Sequence, residues 1–256
     1  MEIKEINNIY FSPTYSTEKV VQIVGNVLSD KSTNIDLTVR QRDYSNYEFN
    51  QDEICIVGVP SFGGRVPRDA SERLKKIKGN NTLAVIVVTY GNRAYEDTLL
   101  ELKNILKDSG FICIAAIGVV CEHSIVSSYA KGRPDYSDIK TLENYALQIR
   151  SVIENDSIRE VCVPGNISYK KYGTVPIVPD VNESCTSCGY CARVCPVGAI
   201  PMDNPSSTDN KKCISCMRCI KLCSSNARYL DEKLIISLKH KLKEVCSVRK
   251  ENELFL

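Results

Sequence analysis

Apolar runs and amphipathic stretches alternate through roughly the first 160 residues. Strand-like runs are expected near Ile6–Phe11, Ile35–Val39, Glu53–Val59, Leu83–Thr89 and Phe111–Val119, with helical periodicity between them at about Thr17–Ser29, Asp69–Lys78, Tyr95–Asp108 and Ser137–Ile153. Strand and helix taking turns is the pattern of a parallel sheet covered on both faces. Ile54–Val59, Leu83–Val88 and Ile112–Val120 are apolar nearly throughout, as strands buried on both faces are. Five strands of this kind predict an α/β domain with strand order 2-1-3-4-5 and a ligand outside the carboxyl ends of the strands.

After residue 160 the pattern breaks. Pro164, Gly165, Gly173, Pro176 and Pro179 interrupt any regular element, so residues 164–180 are expected to be a linker, with 1–163 as one domain before it. A compact unit is expected over 181–230. Leu234, Leu238 and Leu242 share one helical face, and 231–256 is expected to be a helix packing back on the rest.

Composition narrows the class. At 256 residues with 43% hydrophobic content, the chain is long enough for about two domains. The 33 basic and 31 acidic residues nearly cancel, which gives no argument for a nucleic-acid partner. No apolar run reaches the roughly 18 residues of a membrane span. The opening MEIKEINNIY has neither a basic n-region nor an apolar h-region. A reducing cytoplasm is therefore expected, because eight of the 13 cysteines form a pattern that needs free thiols.

Cys185, Cys188, Cys191 and Cys195 read C-x2-C-x2-C-x3-C and run into Pro196; Cys213, Cys216, Cys219 and Cys223 repeat the spacing before Ser224. A [4Fe-4S] cubane needs thiolates converging from several directions, and three cysteines at two-residue gaps wrap a loop round three of its corners. A disulfide framework belongs to small secreted chains, and zinc would be left with surplus ligands. In the two-cluster arrangement the last cysteine of each run serves the other cluster. That assigns Cys185, Cys188, Cys191 and Cys223 to one cluster, and Cys213, Cys216, Cys219 and Cys195 to the other.

Three loops at expected strand ends carry ligand-type residues. Ser12-Pro13-Thr14-Tyr15-Ser16-Thr17 precedes a helix, and hydroxyls with free backbone N–H groups there make an anion site; an ordinary N-cap run reads the same way. Pro60-Ser61-Phe62-Gly63-Gly64-Arg65 and Thr89-Tyr90-Gly91-Asn92-Arg93-Ala94-Tyr95 place glycines beside aromatic rings. Glycine lets backbone approach a flat ligand closely, and Phe62, Tyr90 or Tyr95 would cover its faces. His123 follows the fifth strand and is open to contact with a ligand or to simple packing. Cys55 and Cys113 alternate with strand apolars and are expected in the core.

On these residues the sequence resembles a flavodoxin/ferredoxin fusion of the kind found in anaerobic microbes. The ferredoxin part of the likeness rests on the two cysteine runs and on Pro196-Val197-Gly198-Ala199-Ile200; the flavodoxin part rests on the three loops. The resemblance implies FMN, with its phosphate held by Ser12, Thr14, Tyr15, Ser16 and Thr17. Its isoalloxazine would lie between Pro60, Ser61, Phe62, Gly63 and Gly64 on one side and Thr89, Tyr90, Gly91, Asn92, Arg93 and Tyr95 on the other. Two departures stand out. Tyr15 occupies a place where flavodoxins usually have glycine, and Arg65, Arg68 and Arg93 lie where flavodoxins tend to be acidic, which would favour an anionic reduced flavin.

FMN takes electrons in pairs and releases them singly, whereas a cluster carries one at a time, so the expected function is low-potential electron transfer with protein redox partners. No G-x-G-x-x-G, P-loop or acid/base constellation marks a substrate. Two other readings stay open: a flavin-dependent reductase of a small molecule such as a quinone, fed through the ferredoxin domain, and a flavodoxin-like module that only docks a partner.

Overall fold

The fold is described from a computed structural model covering residues 5–173 and 177–256. Pro176, one of the expected linker breakers, lies outside the described residues.

The apolar runs become strands. In chain order the elements are β1 (Ile6–Tyr10), α1 (Ser16–Leu28), β2 (Ser32–Asp36), β3 (Glu48–Phe49), β4 (Ile54–Pro60), α2 (Arg68–Leu74), β5 (Lys78–Gly79), β6 (Thr82–Tyr90), α3 (Thr98–Asp108), β7 (Phe111–Val120) and α4 (Tyr136–Glu154). After these come β8 (Asp180–Val181), α5 (Tyr190–Arg193), α6 (Arg218–Lys221), β9 (Arg228–Tyr229), α7 (Glu232–Cys246) and β10 (Glu253–Phe255). The main sheet has the order β10-β7-β6-β4-β1-β2. Its five amino-terminal strands are parallel and stand in the expected 2-1-3-4-5 order, which makes the domain flavodoxin-like. Side-chain alternation divides the core. Val85 and Val87 face α1 and α4 through Val20, Val24, Leu142 and Ile149, while Ala84, Ile86 and Val88 face α2 and α3 through Ala70, Leu74, Leu102 and Leu106. Cys55 and Cys113 lie in the second of these layers as core thiols, and burial pushes the Cys113 thiol up to about 12. Among the described residues, no helix is long and apolar enough to cross a membrane.

Three boundaries differ from expectation for local reasons. The second strand ends at Asp36 because its carboxylate accepts from Thr38 N (2.7 Å) and turns the chain inward, burying Leu37. The helix expected to reach Lys78 stops at Leu74, since Ile77 turns into the core and Lys78–Gly79 pairs with β3. The next helix starts at Thr98 instead of Tyr95 because Asn92 and Glu96 adopt positive φ (61° and 45°).

The largest difference is at the carboxyl end. Residues 231–256 do not form one helix: α7 ends at Cys246, and β10 then pairs antiparallel with β7 (Leu254 opposite Ile117). The leucine face expected on α7 does pack, Leu234 and Leu238 against Ile177, Met217 and Leu230, and Leu242 against Val126 and Cys246. The tail is fixed by Asn252, which accepts from Val120 N (2.9 Å) and donates to Asp138 (3.0 Å). Asp138 also pairs with Arg133 at 2.5 Å, both nearly sealed from solvent, and closes a capping box with Asp135 at the start of α4.

The linker is docked as well. The Asp97 carboxylate accepts from Asn166 N (2.9 Å) and Lys170 N (2.7 Å). Those backbone N–H groups hold it below the usual carboxylate range.

Candidate functional site

A cavity of ≈ 570 Å³ opens at the carboxyl ends of β1, β4, β6 and β7, where the switch in strand order places a ligand. All three expected loops reach it. From the first come Thr14, Ser16 and Thr17; from the second, Pro60, Ser61, Phe62 and Gly63; from the third, Thr89, Tyr90, Gly91 and Arg93.

Several expected contacts turn out to be structural. Ser12 is turned away: its Oγ accepts from Glu18 N (3.0 Å), capping α1, and its N–H donates to Thr38 Oγ1 (2.8 Å). Thr17 and Thr89 share a buried hydroxyl hydrogen bond (2.8 Å). Thr14, Ser16 and the N-terminus of α1 are left for a phosphate. Tyr15 does adopt the conformation that favours glycine (φ 69°), but its ring is 42% exposed and lies under the Arg218 guanidinium (5.5 Å). Gly64 does not reach the cavity; a Cβ there would sit 1.8 Å from Glu96 Oε2. Asn92 is buried and donates to Cys246 O (2.6 Å) and Val248 O (2.9 Å), anchoring the end of α7. Tyr95 meets Tyr90 edge-on (5.2 Å) and donates to Glu253 (2.8 Å), so it belongs to the tail contact. Phe62 and Tyr90 remain as the expected aromatic walls.

The arginines are mostly neutralised. Arg65 is buried in a bidentate pair with Glu101 (2.7 Å for each bond) and lies 4.0 Å over the Tyr172 ring, outside the cavity. Arg93 pairs with Glu96 (2.8 Å). Arg68 does line the cavity, its guanidinium 4.5 Å over Tyr172.

Other wall residues come from far along the chain: His123, Tyr172, and the segment from Asn210 to Cys216. Of these, the sequence singled out His123 as a candidate contact and Cys213 and Cys216 as cluster thiols, and it pointed to none of the others. Gly91 makes room for His123, since a Cβ at 91 would meet the imidazole at 2.6 Å. His123 Nδ1 accepts from Ile125 N (3.2 Å) and Val126 N (3.1 Å), which leaves the proton on Nε2, and no described residue takes a hydrogen bond from that atom. Burial, then Arg93, hold the imidazole below its ordinary value. The cavity thus has a fixed neutral donor with no partner among the described residues. Gly91→Ala is expected to push the ring aside and weaken binding of a ligand with an acceptor edge about tenfold, measured by titrating the protein with that ligand.

The cysteine runs repeat in three dimensions as well as in sequence. Ser187 and Ser215, Gly189 and Met217, and Gly198 and Asn226 all have positive φ, each pair separated by the same interval as Cys185 and Cys213. Ala199 N donates to Cys195 Sγ and Ala227 N to Cys223 Sγ, each at 3.3 Å. Cys195 leaves its own run: with Cys213, Cys216 and Cys219 it lines a ≈ 20 Å³ cavity. Burial raises the Cys216 thiol strongly, with Cys219, Cys195 and Cys213 adding to it, and burial carries Cys219 up to about 11. At Cys223 burial acts upward, but hydrogen bonds from Ser225 and from backbone N–H groups outweigh it and bring the thiol below its ordinary range. Cys185, Cys191 and Cys223 are half-buried, and Cys188 is exposed.

None of these cysteines is in a disulfide. Among the described residues no three metal-binding side chains gather as tightly as one bound ion requires; a cubane asks for thiols spread round it instead. Two buried arginine atoms, Nε of Arg218 and of Arg228, have no partner among the described residues, and both residues adjoin the Cys195, Cys213, Cys216 and Cys219 set. Cations with an unpaired, buried N–H beside soft thiols fit an anionic iron-sulfur cluster.

Residues 159–228 match the family model of the 4Fe-4S dicluster domain. No curated protein matches the chain. Among solved structures, a flavodoxin from the domain Archaea is similar at TM-score 0.43 and 11% identity, over 59% of this chain and 99% of that one. Flavodoxin 1 from Bacillus cereus gives 0.42 and 15%, over 57% and 97%. The rubredoxin oxygen:oxidoreductase of the anaerobe Desulfovibrio gigas gives 0.43 and 17%, over 60% of this chain, which spans 37% of its length. The architecture rests on the strand order described above.

Proposed function

We propose that this chain, a flavodoxin-like domain fused to a 4Fe-4S dicluster domain, is a low-potential electron carrier that moves electrons between one FMN, two [4Fe-4S] clusters and external protein partners. The observation that supports this reading best is that Asn210–Cys216, the segment carrying the first two thiols of the second run, is itself a wall of the large cavity. Ile214 packs against the core of the flavodoxin-like domain, as Phe62 does.

When bound, FMN exchanges electrons in pairs on one side and singly on the other. The chain's own residues do the rest. Thr14, Ser16 and the α1 N-terminus would hold its phosphate, Phe62 and Tyr90 would wall the cavity and keep water out, and His123 Nε2 would supply a hydrogen-bond donor to it. Cys213, Cys216, Cys219 and Cys195 hold an inner cluster against this cavity. Cys185, Cys188, Cys191 and Cys223 hold an outer one, where exposed Cys188 marks the side open to a partner. A reducing, anaerobic cytoplasm suits this chemistry.

The protein purified without oxygen is expected to contain flavin as FMN and iron for two clusters, and to be reduced by a low-potential donor protein while leaving NADH and NADPH untouched. Steady-state assays supply the test of class. Fast, saturable quinone reduction by the isolated chain would make it a reductase instead of a carrier, and a well-folded preparation without FMN would make its first domain a docking module.

A further inference from the structure

The two cysteine runs repeat closely, yet the residues that open their short helices differ. The interval that carries Cys185 to Cys213 carries Tyr190, the first residue of α5, to Arg218, the first residue of α6. Tyr190 is 43% exposed. Arg218 instead reaches across to the flavodoxin-like domain. Its Nη1 donates to Ser12 O (3.2 Å) and Pro13 O (3.1 Å), and its guanidinium lies 5.5 Å over the Tyr15 ring. One side chain of the iron-sulfur half thus touches three residues of the loop that leads into α1.

That loop has little else to hold its turn. Tyr15 sits at φ 69°, a left-handed conformation that is unfavourable for any residue with a Cβ and rarest for bulky ones. As the residue before α1 it makes no side-chain cap, and its N–H reaches Ser12 O only at 3.5 Å, long for a hydrogen bond. Ser12 is fixed at one end by Thr38 and Glu18, and Tyr15 O accepts from Lys19 N (3.0 Å) at the other. Between these two anchors, Arg218 supplies the contacts. Thr14 and Ser16 line the large cavity and Tyr15 does not. The Tyr15 ring can therefore act on the site only through the shape of the backbone between its two neighbours.

We propose that Arg218 is a positioning residue for the flavin phosphate: it clamps Ser12, Pro13 and Tyr15 so that Thr14, Ser16 and the start of α1 present their donors together. This rests on the carrier reading given above, which puts FMN in the cavity. A guanidinium suits the task, because its donors reach carbonyl oxygens while its flat face covers an aromatic ring. The clamp also accounts for a tyrosine where glycine would take the turn freely: the ring is what the arginine holds. Arg218 stands between Cys216 and Cys219 and lines the small cavity with them. The phosphate site is thereby completed by the same loop that gathers the inner thiols.

The test is FMN titration, followed by quenching of flavin fluorescence, of the full-length protein prepared without oxygen and stripped of its flavin. Wild type, Arg218→Met, Tyr15→Gly, the double variant and Tyr15→Leu are compared, with iron measured in each. Arg218→Met is expected to bind FMN about tenfold more weakly and to keep its iron, since Arg218 is not a cluster ligand. In the Tyr15→Gly background the same substitution should weaken binding only about threefold, because glycine adopts the turn without help. Tyr15→Leu leaves the iron-sulfur half untouched and keeps the unfavourable turn but removes the ring, and should weaken binding about threefold. An Arg218→Met protein that binds FMN as wild type does, or equal losses in the two backgrounds, overturns the inference and leaves the carrier reading intact. If Arg218→Met loses iron, Tyr15→Leu decides: weaker binding supports the clamp and unchanged affinity overturns it. A wild-type protein that takes up no FMN overturns the carrier reading, and the inference with it.

Discussion

Cys195→Ala protein, prepared without oxygen, is expected to carry about half the wild-type iron, and the iron it keeps is expected to be that of Cys185, Cys188 and Cys191. The loss falls on the cluster further away in sequence because Cys195, the last cysteine of the first run, lies in the small cavity with Cys213, Cys216 and Cys219. Around it the chain is braced by Ala199 N donating to its sulfur. Cys223→Ala should do the reverse, sparing the inner cluster and with it the wall of the flavin cavity. Iron and sulfide analysis combined with FMN titration separates the two variants, since only Cys195→Ala should also disturb the flavin site. Retention of the second-run cluster in Cys195→Ala would mean that each run supplies all four of its own ligands.

The largest loss of stability is expected from Asp138→Ala, at about 3–5 kcal/mol. Its carboxylate joins three parts of the chain: Arg133 before α4, the Asp135 N–H at the helix start, and Asn252 in the tail. Side-chain exposures of 4% and 1% for Arg133 and Asp138 mean that removing the acid leaves a sealed guanidinium without its counter-charge. Urea unfolding of the two proteins measures the difference. The double variant Arg133→Met/Asp138→Leu should recover much of it, because apolar replacement of both partners removes the stranded charge. A loss below about 1 kcal/mol would show that the tail, not this pair, holds the joint together.

Much of this was readable before any coordinates. Ile54–Val59, Leu83–Val88 and Ile112–Val120 announced themselves because a strand buried on both faces has no room for polar residues. The cysteine runs were legible because a cluster loop is local, with three ligands inside one turn of chain. The loops were legible only in part. Glycine and asparagine there signalled special backbone, but the sequence does not reveal whether the backbone bends for a ligand or for a neighbour. Gly91 leaves room for His123, Gly64 turns beside Glu96, and Asn92 turns to anchor the end of α7. Tyr172 and Lys211 carried no signal, since long-range topology alone brings them to the cavity. The long apolar seventh strand carries one more clue. Phe111–Val120 is apolar along its whole length, yet the 2-1-3-4-5 order leaves it at an edge, and an edge that apolar needs a cover. The cover is three residues of the tail, too short to stand out from a helical reading.

That cover ties the order of synthesis to the order of assembly. β10 leaves the ribosome only after both cysteine runs, so the nascent amino-terminal sheet waits with β7 unpaired on one side while the iron-binding half is made. A bare apolar strand is a template for pairing with other chains. A chain cut just before Glu253 should therefore leave β7 bare and self-associate, which light scattering against the full-length protein measures.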